Sequence, residues 1–253
     1  MTTATATPTL PGITFHRLPD RAIVTLNRPE QRNAIDQDMV SSLQIVCDSL
    51  ERDPAPLILT GGPDIFAAGA DISQLRHRRH TDALAGINSG LFDRIARLPL
   101  PTVAAVAGPA IGGGAELAYA CDFRIATSTA RFGNPEGQLG ILAAAGACWR
   151  LQELIGEPLA KQVLLLGRTL DAEQALAVHL VTDIVAPEAL LDAAHATIEK
   201  MLTSSTAALR LTKLALRMPR EAHPVFDYVA QAVLFETTEK NQRMDAFLQR
   251  KHR

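Results

Sequence analysis

The chain has 253 residues, a formal net charge of -2, a hydrophobic fraction of 47% and 21% charged residues. That length suits one large domain or a main domain with an appendage. The charge balance offers no electrostatic case for nucleic acid, and aromatics at 4% offer no stacking platform for bases. Three cysteines, Cys47, Cys121 and Cys148, show no Cys-x-x-Cys spacing. They exclude a disulfide framework, point to a reducing compartment and read as buried, inert thiols.

Met1 to Leu10 lacks Lys, Arg and an apolar run, so it reads as a loose arm and not as a secretory signal. Ile13–Arg17 and Ala22–Leu26 read as strands joined by a Leu18-Pro19-Asp20-Arg21 turn, and Asn27-Arg28-Pro29-Glu30 breaks the pattern. From Asp36, a candidate N-cap, Met39, Leu43, Val46 and Leu50 form a helical stripe that ends before Pro54. Leu57–Thr60 is a buried strand stopped by Gly61-Gly62-Pro63. A second helix spans Leu84 to Leu98, and Thr102–Val106 is another buried strand. Continuous apolar strands alternating with helices predict parallel β structure covered by helices.

Leu98 to Ala115 holds 18 uncharged residues, but Pro99, Pro101, Pro109 and four glycines make it a buried strand and turn and not a membrane span. The expected location is therefore cytoplasmic. A short helix to about Ala120, an alternating strand at Phe123–Thr127 and the run Phe132-Gly133-Asn134-Pro135-Glu136 follow. Beyond Val185 the strand signal stops, and Glu188–Leu202, Thr206–Arg217 and Pro224–Lys240 read as helices, the last with Phe226, Val229, Ala230 and Val233 on one stripe. The chain divides near Pro187 into an α/β core, residues 1–186, and a helical region, residues 187–253.

Two carboxylates stand out by position. Glu116 follows Gly112-Gly113-Gly114, and Glu136 follows Asn134-Pro135, 20 residues later. Paired in one cleft they could divide acid and base work, because repulsion and burial separate their proton affinities; ordinary surface glutamates are the alternative. The small-residue turn Phe66-Ala67-Ala68-Gly69-Ala70-Asp71 and Gly113 could each present an amide to a ligand, and two amides on one oxygen make an oxyanion hole. Tight packing is the competing explanation.

Arg76-His77-Arg78-Arg79-His80 is the one dense basic cluster, a solvated helix face or an anion contact. The remaining histidines show no ligand spacing. His-Glu-x-x-His, Gly-x-Ser-x-Gly and P-loop motifs do not occur, which removes the usual local support for zinc hydrolysis, serine acyl transfer and nucleotide hydrolysis.

Leu26-Asn27-Arg28-Pro29 with Asn33-Ala34, Phe66 to Asp71, Gly112 to Glu116, Cys121-Asp122, Phe132-Gly133-x-Pro135-Glu136 and Ala246-Phe247 occur in an order and spacing that resemble the crotonase superfamily, the enoyl-CoA hydratase/isomerase family. The resemblance implies an α/β spiral of ββα units (the ClpP-like, crotonase fold) with a C-terminal helical trimerisation region. It implies an oxyanion hole at the amides of Ala70 and Gly113, with Glu116 and Glu136 as the catalytic pair. Glu136 would activate water, and Glu116 would hold the water and join the proton traffic to the α-carbon. Arg28, Ala68 (against the adenine), Asp71, Ile72, Gly112 and Lys213 would contact substrate or CoA.

The implied activity is hydration of 2-trans-enoyl-CoA, a lyase reaction of fatty acid metabolism. Δ3-Δ2 enoyl-CoA isomerisation and non-catalytic acyl-CoA binding are the alternatives. No metal or further cofactor is implied, coenzyme A being part of the substrate. The implied partners are an acyl-CoA and copies of the same chain, as a homotrimer or a homohexamer built as a dimer of trimers, with no nucleic acid and no membrane.

The chain departs from the family pattern at four places. Ala143-Ala144-Ala145-Gly146-Ala147-Cys148 replaces the usual Pro-Gly-x-Gly-Gly-Thr, which bears on how water and the acyl group are held. Ser73 stands where a Lys is frequent, which shifts expected phosphate contacts to Arg76–Arg79. His179 stands where Gly is common and is expected to hold a positive φ for structural reasons. Gln242-Arg243 replaces a frequent Glu-Gly.

Overall fold

The computed structural model describes residues 10–251, so nearly all of the expected N-terminal arm lies outside the described residues. Strands β1 (Ile13–Arg17) and β2 (Ala22–Leu26) form the expected antiparallel hairpin. Helix α1 (Gln37–Arg52) starts where Asp36 Oδ1 accepts the Met39 amide at 2.8 Å, and it buries Met39, Leu43, Val46 and Leu50. Strand β3 (Leu57–Thr60) runs parallel to β2.

Helices α2 (Ile72–Leu75), α3 (His80–Leu84) and α4 (Ile87–Ala96) follow. The single helix expected from Leu84 begins instead at Ile87, because Gly86 takes φ +61° and breaks the chain between α3 and α4. Next come β4 (Thr102–Val106), β5 (Pro109–Ile111), α5 (Gly113–Ala120), β6 (Phe123–Thr127) and β7 (Arg131–Gly133). After a π-helical turn at Ala147–Leu151 come α6 (Gln152–Ile155), α7 (Glu157–Leu166), β8 (Leu170–Asp171), α8 (Ala172–Ala177) and β9 (Asp183–Val185).

The strands form a six-stranded sheet in the order β1-β2-β3-β4-β6-β9, parallel from β2 onward, and a three-stranded sheet in the order β5-β7-β8. The chain alternates between them. After β3 it makes a single-residue bridge from Ala67 to Ala110; after β4 it forms β5; after β6 it forms β7. Strands β3, β4 and β6 are thus each followed by a short partner in the second layer and then a helical turn, the expected spiral of ββα units.

Both faces of the large sheet are buried, and the strand period of two divides its side chains between two clusters. Ala104, Val106 and Ala126 join the cluster under α1 and α4, whereas Val103, Ala105 and Ile125 meet Leu190, Ala194 and Ile198 of α9 (Leu190–Leu202). Strand β6 therefore lacks the polar outer face expected of an alternating strand. Its charged residue, Arg124, is buried and donates to the carbonyls of Leu180, Cys121 and Ala118 at 2.5, 2.6 and 3.3 Å.

Beyond Pro187, α9 is a covering layer of the large sheet. Helix α10 (Thr206–Ala215) is pinned by buried Lys213, whose Nζ donates to Asp122 Oδ2 at 2.7 Å and to the Leu100 carbonyl at 3.1 Å. The expected helix Pro224–Lys240 is two helices, α11 (Val225–Phe235) and α12 (Thr238–Lys251). Thr237 separates them, its hydroxyl donating back to the Leu234 carbonyl at 2.7 Å and accepting the Lys240 amide at 3.3 Å. Tyr228, Val229 and Val233 remain exposed, so the apolar stripe of α11 is open in the single chain.

His179 has φ +60°, as expected of a residue standing in for glycine. Cys47 and Cys121 are buried, their thiols pushed up to about 12 by desolvation. Cys148 departs from the expectation of burial: it lies on the outer side of the π-helical turn and is exposed. Among the described residues no helix is long and apolar enough to cross a membrane.

Candidate active site

The site begins with two backbone amides. Ile35 and Ala70 form a parallel bridge in which the Ile35 amide donates to the Gly69 carbonyl and the Asp71 amide donates to the Ile35 carbonyl, at 2.8 and 3.0 Å. In that geometry the Ala70 N–H points away from Ile35. Gly113 opens α5, where the first amides have no partner within the helix. The two come together because glycine removes the obstacle: a Cβ on Gly113 would lie 3.3 Å from the Ala70 nitrogen, and one on Gly114 would lie 2.3 Å from the Ala67 carbonyl oxygen.

Glu116 is three residues into α5 from Gly113 and so shares its helix face. The side chain is buried, and Oε1 accepts the amides of Ala145 at 2.8 Å and Ala147 at 3.0 Å. Both of these bonds go to Oε1, and the residue lines the cleft. Desolvation pushes the Glu116 carboxyl up to about 7; the Ala147 amide opposes the shift, the charge of Glu136 adds to it, and the Ala145 amide and Arg150 oppose it.

Glu136 enters from the other layer. Asn134 and Pro135 end β7 and turn the chain into a short 3-10 turn, Glu136–Leu139. Its Oε1 is reached by Asn134 Nδ2 at 3.5 Å, a distant contact, and Oε2 is buried with no hydrogen-bond partner. Burial raises its proton affinity, with its own backbone amide and Asn134 acting against the shift. Two carboxyls therefore share a cleft in different settings, one clasped by amides and one nearly bare.

The cleft has a volume of about 610 Å³ and is lined by Ala68, Ala70, Ile72, Gly112, Gly113, Glu116 and Glu136 among others, with Arg78, Arg79 and His80 along the same wall. Seven of the ten residues singled out in the sequence thus meet in one cavity. Arg28, Asp71 and Lys213 are not part of its lining. Arg28 forms ion pairs with Asp36 at 3.1 Å and Asp71 at 3.4 Å and donates to the Ala34 carbonyl. Asp71 caps α2 through the Ser73 amide at 3.0 Å, and Lys213 is occupied at Asp122. Their partners are structural because each ties a loop or helix end to the core.

The structure adds residues that sequence reasoning passed over. Asn134 bridges the site, accepting the Tyr119 hydroxyl at 3.2 Å and reaching the Gly112 carbonyl at 3.4 Å. Its place in the run before Glu136 was a usable signal. The amides of Ala145 and Ala147 had none, since a backbone donor leaves no mark on residue type. The Ala143–Cys148 departure leaves this clasp in place: Ala144, where the family has Gly, lines the cleft while its neighbours hold Glu116.

The chain is similar to known proteins along nearly its whole length. The family model described as enoyl-CoA hydratase/isomerase matches residues 21–252. A short-chain-enoyl-CoA hydratase of Clostridium acetobutylicum is 35% identical over 239 residues, 91% of this chain and 92% of that protein. A crotonyl-CoA hydratase of Syntrophomonas wolfei is 35% identical over the same span and shares. The crystal structure of an enoyl-CoA hydratase from Bacillus anthracis superposes with a TM-score of 0.88 at 29% identity, covering 94% of this chain and 96% of that one. With paired carboxyls, facing amides and a match along nearly the whole sequence, this chain belongs to the enoyl-CoA hydratase/isomerase family.

Proposed function

We propose that the protein is an enoyl-CoA hydratase, adding water across the double bond of a 2-trans-enoyl-CoA to give the 3-hydroxyacyl-CoA. The observation that carries this reading is the unlike pair, Glu116 and Glu136, in the cleft that also receives the Ala70 and Gly113 amides. The thioester oxygen sits between the two amides, which stabilise it most when it gains charge in the enolate-like transition state; one such donor is typically worth about 3 to 4 kcal/mol. Ionised Glu136 takes a proton from water as the oxygen bonds to the β-carbon. Glu116, protonated at Oε2, delivers a proton to the α-carbon, and proton exchange between the pair and solvent resets the site.

Coenzyme A enters as part of the substrate. Ala68 and Ile72 border its path, and Arg78 and Arg79 supply positive charge for its phosphates in place of the lysine that Ser73 replaces. Residues 1–186 carry the site, and residues 187–253 serve assembly as a trimer or dimer of trimers, for which the open apolar face of α11 is the support. The location is cytoplasmic, consistent with three free cysteines.

The test is a steady-state assay with crotonyl-CoA and longer 2-enoyl-CoAs, with mass detection of the hydrated product. Absence of product across the panel overturns the reading, as does an unchanged rate in Glu136→Gln. Isomerisation is the second reading, tested in the same assay by supplying 3-enoyl-CoA; it is favoured if the 2-enoyl product precedes any hydrated one. The intact amide clasp on Glu116 supports the two-carboxylate reaction over it.

A further inference from the structure

Arg150 is buried within the π-helical turn, neither Nη1 nor Nη2 has a hydrogen-bond partner, and the guanidinium lies over the Trp149 ring, 4.1 Å from its centroid. Leaving a guanidinium so poorly satisfied is costly, so its position calls for a compensating interaction. The nearest carboxylate, Asp93 on α4, stands 3.8 Å from Nη2 but is shared: Arg97 holds it at 2.5 Å and Arg217 at 3.5 Å. Three arginines on one carboxylate leave a surplus of positive charge, and Arg150 is the member carried into the interior.

Gly146 lies between that charge and Glu116. A Cβ on Gly146 would be 2.6 Å from Arg150 Nη1, and its φ of +133° is a conformation that favours glycine. The Arg150 amide donates to the Gly146 carbonyl at 2.7 Å. On either side of Gly146, Ala145 and Ala147 donate to Glu116 Oε1. The guanidinium is thus packed against the middle of the three-residue segment whose outer members clasp the carboxylate.

We infer that Arg150 is a positioning residue for Glu116, holding the Ala145–Ala147 clasp in shape through Gly146 and supplying positive charge, only partly offset by the shared Asp93, that favours the buried carboxylate. This rests on the proposed acid role of Glu116 for its kinetic consequence but not for its electrostatic one. The groups facing Arg150 are Asp93 from α4, Arg217 beyond α10, Cys121 at the end of α5 and Glu153 in α6; those facing Glu116 are Glu136, Arg150, Tyr119 on its own helix and Cys148 on the π-helical turn. Removing the Asp93 charge and removing the Arg150 charge are expected to move Glu116 in opposite directions, which separates an electrostatic role from a merely structural one.

The experiment is a carboxyl carbon NMR titration of glutamate-labelled full-length protein, with the Glu116 signal assigned by its loss in Glu116→Gln, in wild type, Arg150→Met, Arg150→Lys and Asp93→Asn. The expected result is an upward shift of the Glu116 midpoint in Arg150→Met, a downward shift in Asp93→Asn and a near wild-type midpoint in Arg150→Lys. Under the hydratase reading, the basic limb of kcat/KM moves in the same directions. Unchanged midpoints, or shifts of one sign in Arg150→Met and Asp93→Asn, overturn the inference. Should Arg150→Met not fold, Arg150→Gln is titrated in its place, with the same upward shift expected and an unchanged midpoint overturning the inference. Opposed midpoint shifts with an unmoved pH–rate profile uphold Arg150 and reject the acid role of Glu116.

Discussion

Gly112 packs directly against Glu136: a Cβ on Gly112 would lie 3.0 Å from Glu136 Oε1, and the Gly112 backbone has φ +54°. The glycine run therefore supplies an amide to one side of the site and leaves room for a carboxylate on the other. Gly112→Ala is expected to cost about 1 to 3 kcal/mol in backbone strain and to displace Glu136. Urea unfolding together with kcat would show a loss of turnover larger than the loss of stability explains; a variant with full turnover would contradict the contact.

Replacing each carboxyl separately tests the division of labour. Glu136→Gln and Glu116→Gln are each expected to lower kcat by roughly 100- to 10,000-fold, the usual range for acid–base groups. If the two act in one transition state, as proposed, the effects should not add. Steady-state kinetics on the single and double variants, with folding checked by circular dichroism, would decide.

Burial of Glu116 has a consequence for stability that is independent of turnover. Its carboxyl is raised from 4.5 to about 7, so the folded chain holds this proton more tightly than the unfolded one. Stability from this group is present below about pH 4.5 and is lost as pH rises through 7. Glu116→Gln should therefore gain on wild type between those limits, by about 3 kcal/mol at most. Denaturant midpoints of both proteins at acidic and mildly alkaline pH measure the difference; a constant difference across that range contradicts the shift.

Arg78 and Arg79 line the cleft wall at the N-terminal approach to α3. If they meet the CoA phosphates, Arg79→Ala should raise KM for the CoA thioester while leaving KM for the matching pantetheine thioester unchanged. Arg78→Ala should do the same with some added instability, because Arg78 also donates to Asn88 Oδ1 at 3.0 Å. Equal effects on both substrates would place the two residues elsewhere in function.

The exposed apolar residues of α11 carry the assembly proposal. Val229→Asp with Val233→Asp is expected to give a smaller species in light scattering, with the circular dichroism of the chain retained, since both side chains are exposed and contribute little to the single-chain core. An unchanged mass would remove this face from the interface.

The local chemistry of the chain was legible wherever one residue type dictates one conformation or one period. Asp36 marked the start of α1, the apolar runs at Leu57–Thr60 and Thr102–Val106 marked buried strands, and the glycine run with Glu116 and Glu136 marked residues that share one cleft. Where a tertiary contact overrode the local pattern, the reading failed. Arg124 looked like the polar side of an alternating strand but is buried against carbonyls that arrive from Cys121 and from Leu180, 56 residues away. Cys148 looked like a core thiol but lies outside, because the π-helical turn points its neighbours Ala147 and Arg150 inward.

The sequence by itself determined which groups could do chemistry, since carboxylates, glycines and small-residue turns are properties of residue type. Only the tertiary structure decided what each group experiences. Proton affinity and the aim of an amide depend on burial and on neighbours brought from distant segments: Ala145 and Ala147 reach Glu116 across 29 and 31 residues, and Ala70 meets Gly113 through close packing that requires glycine at 114.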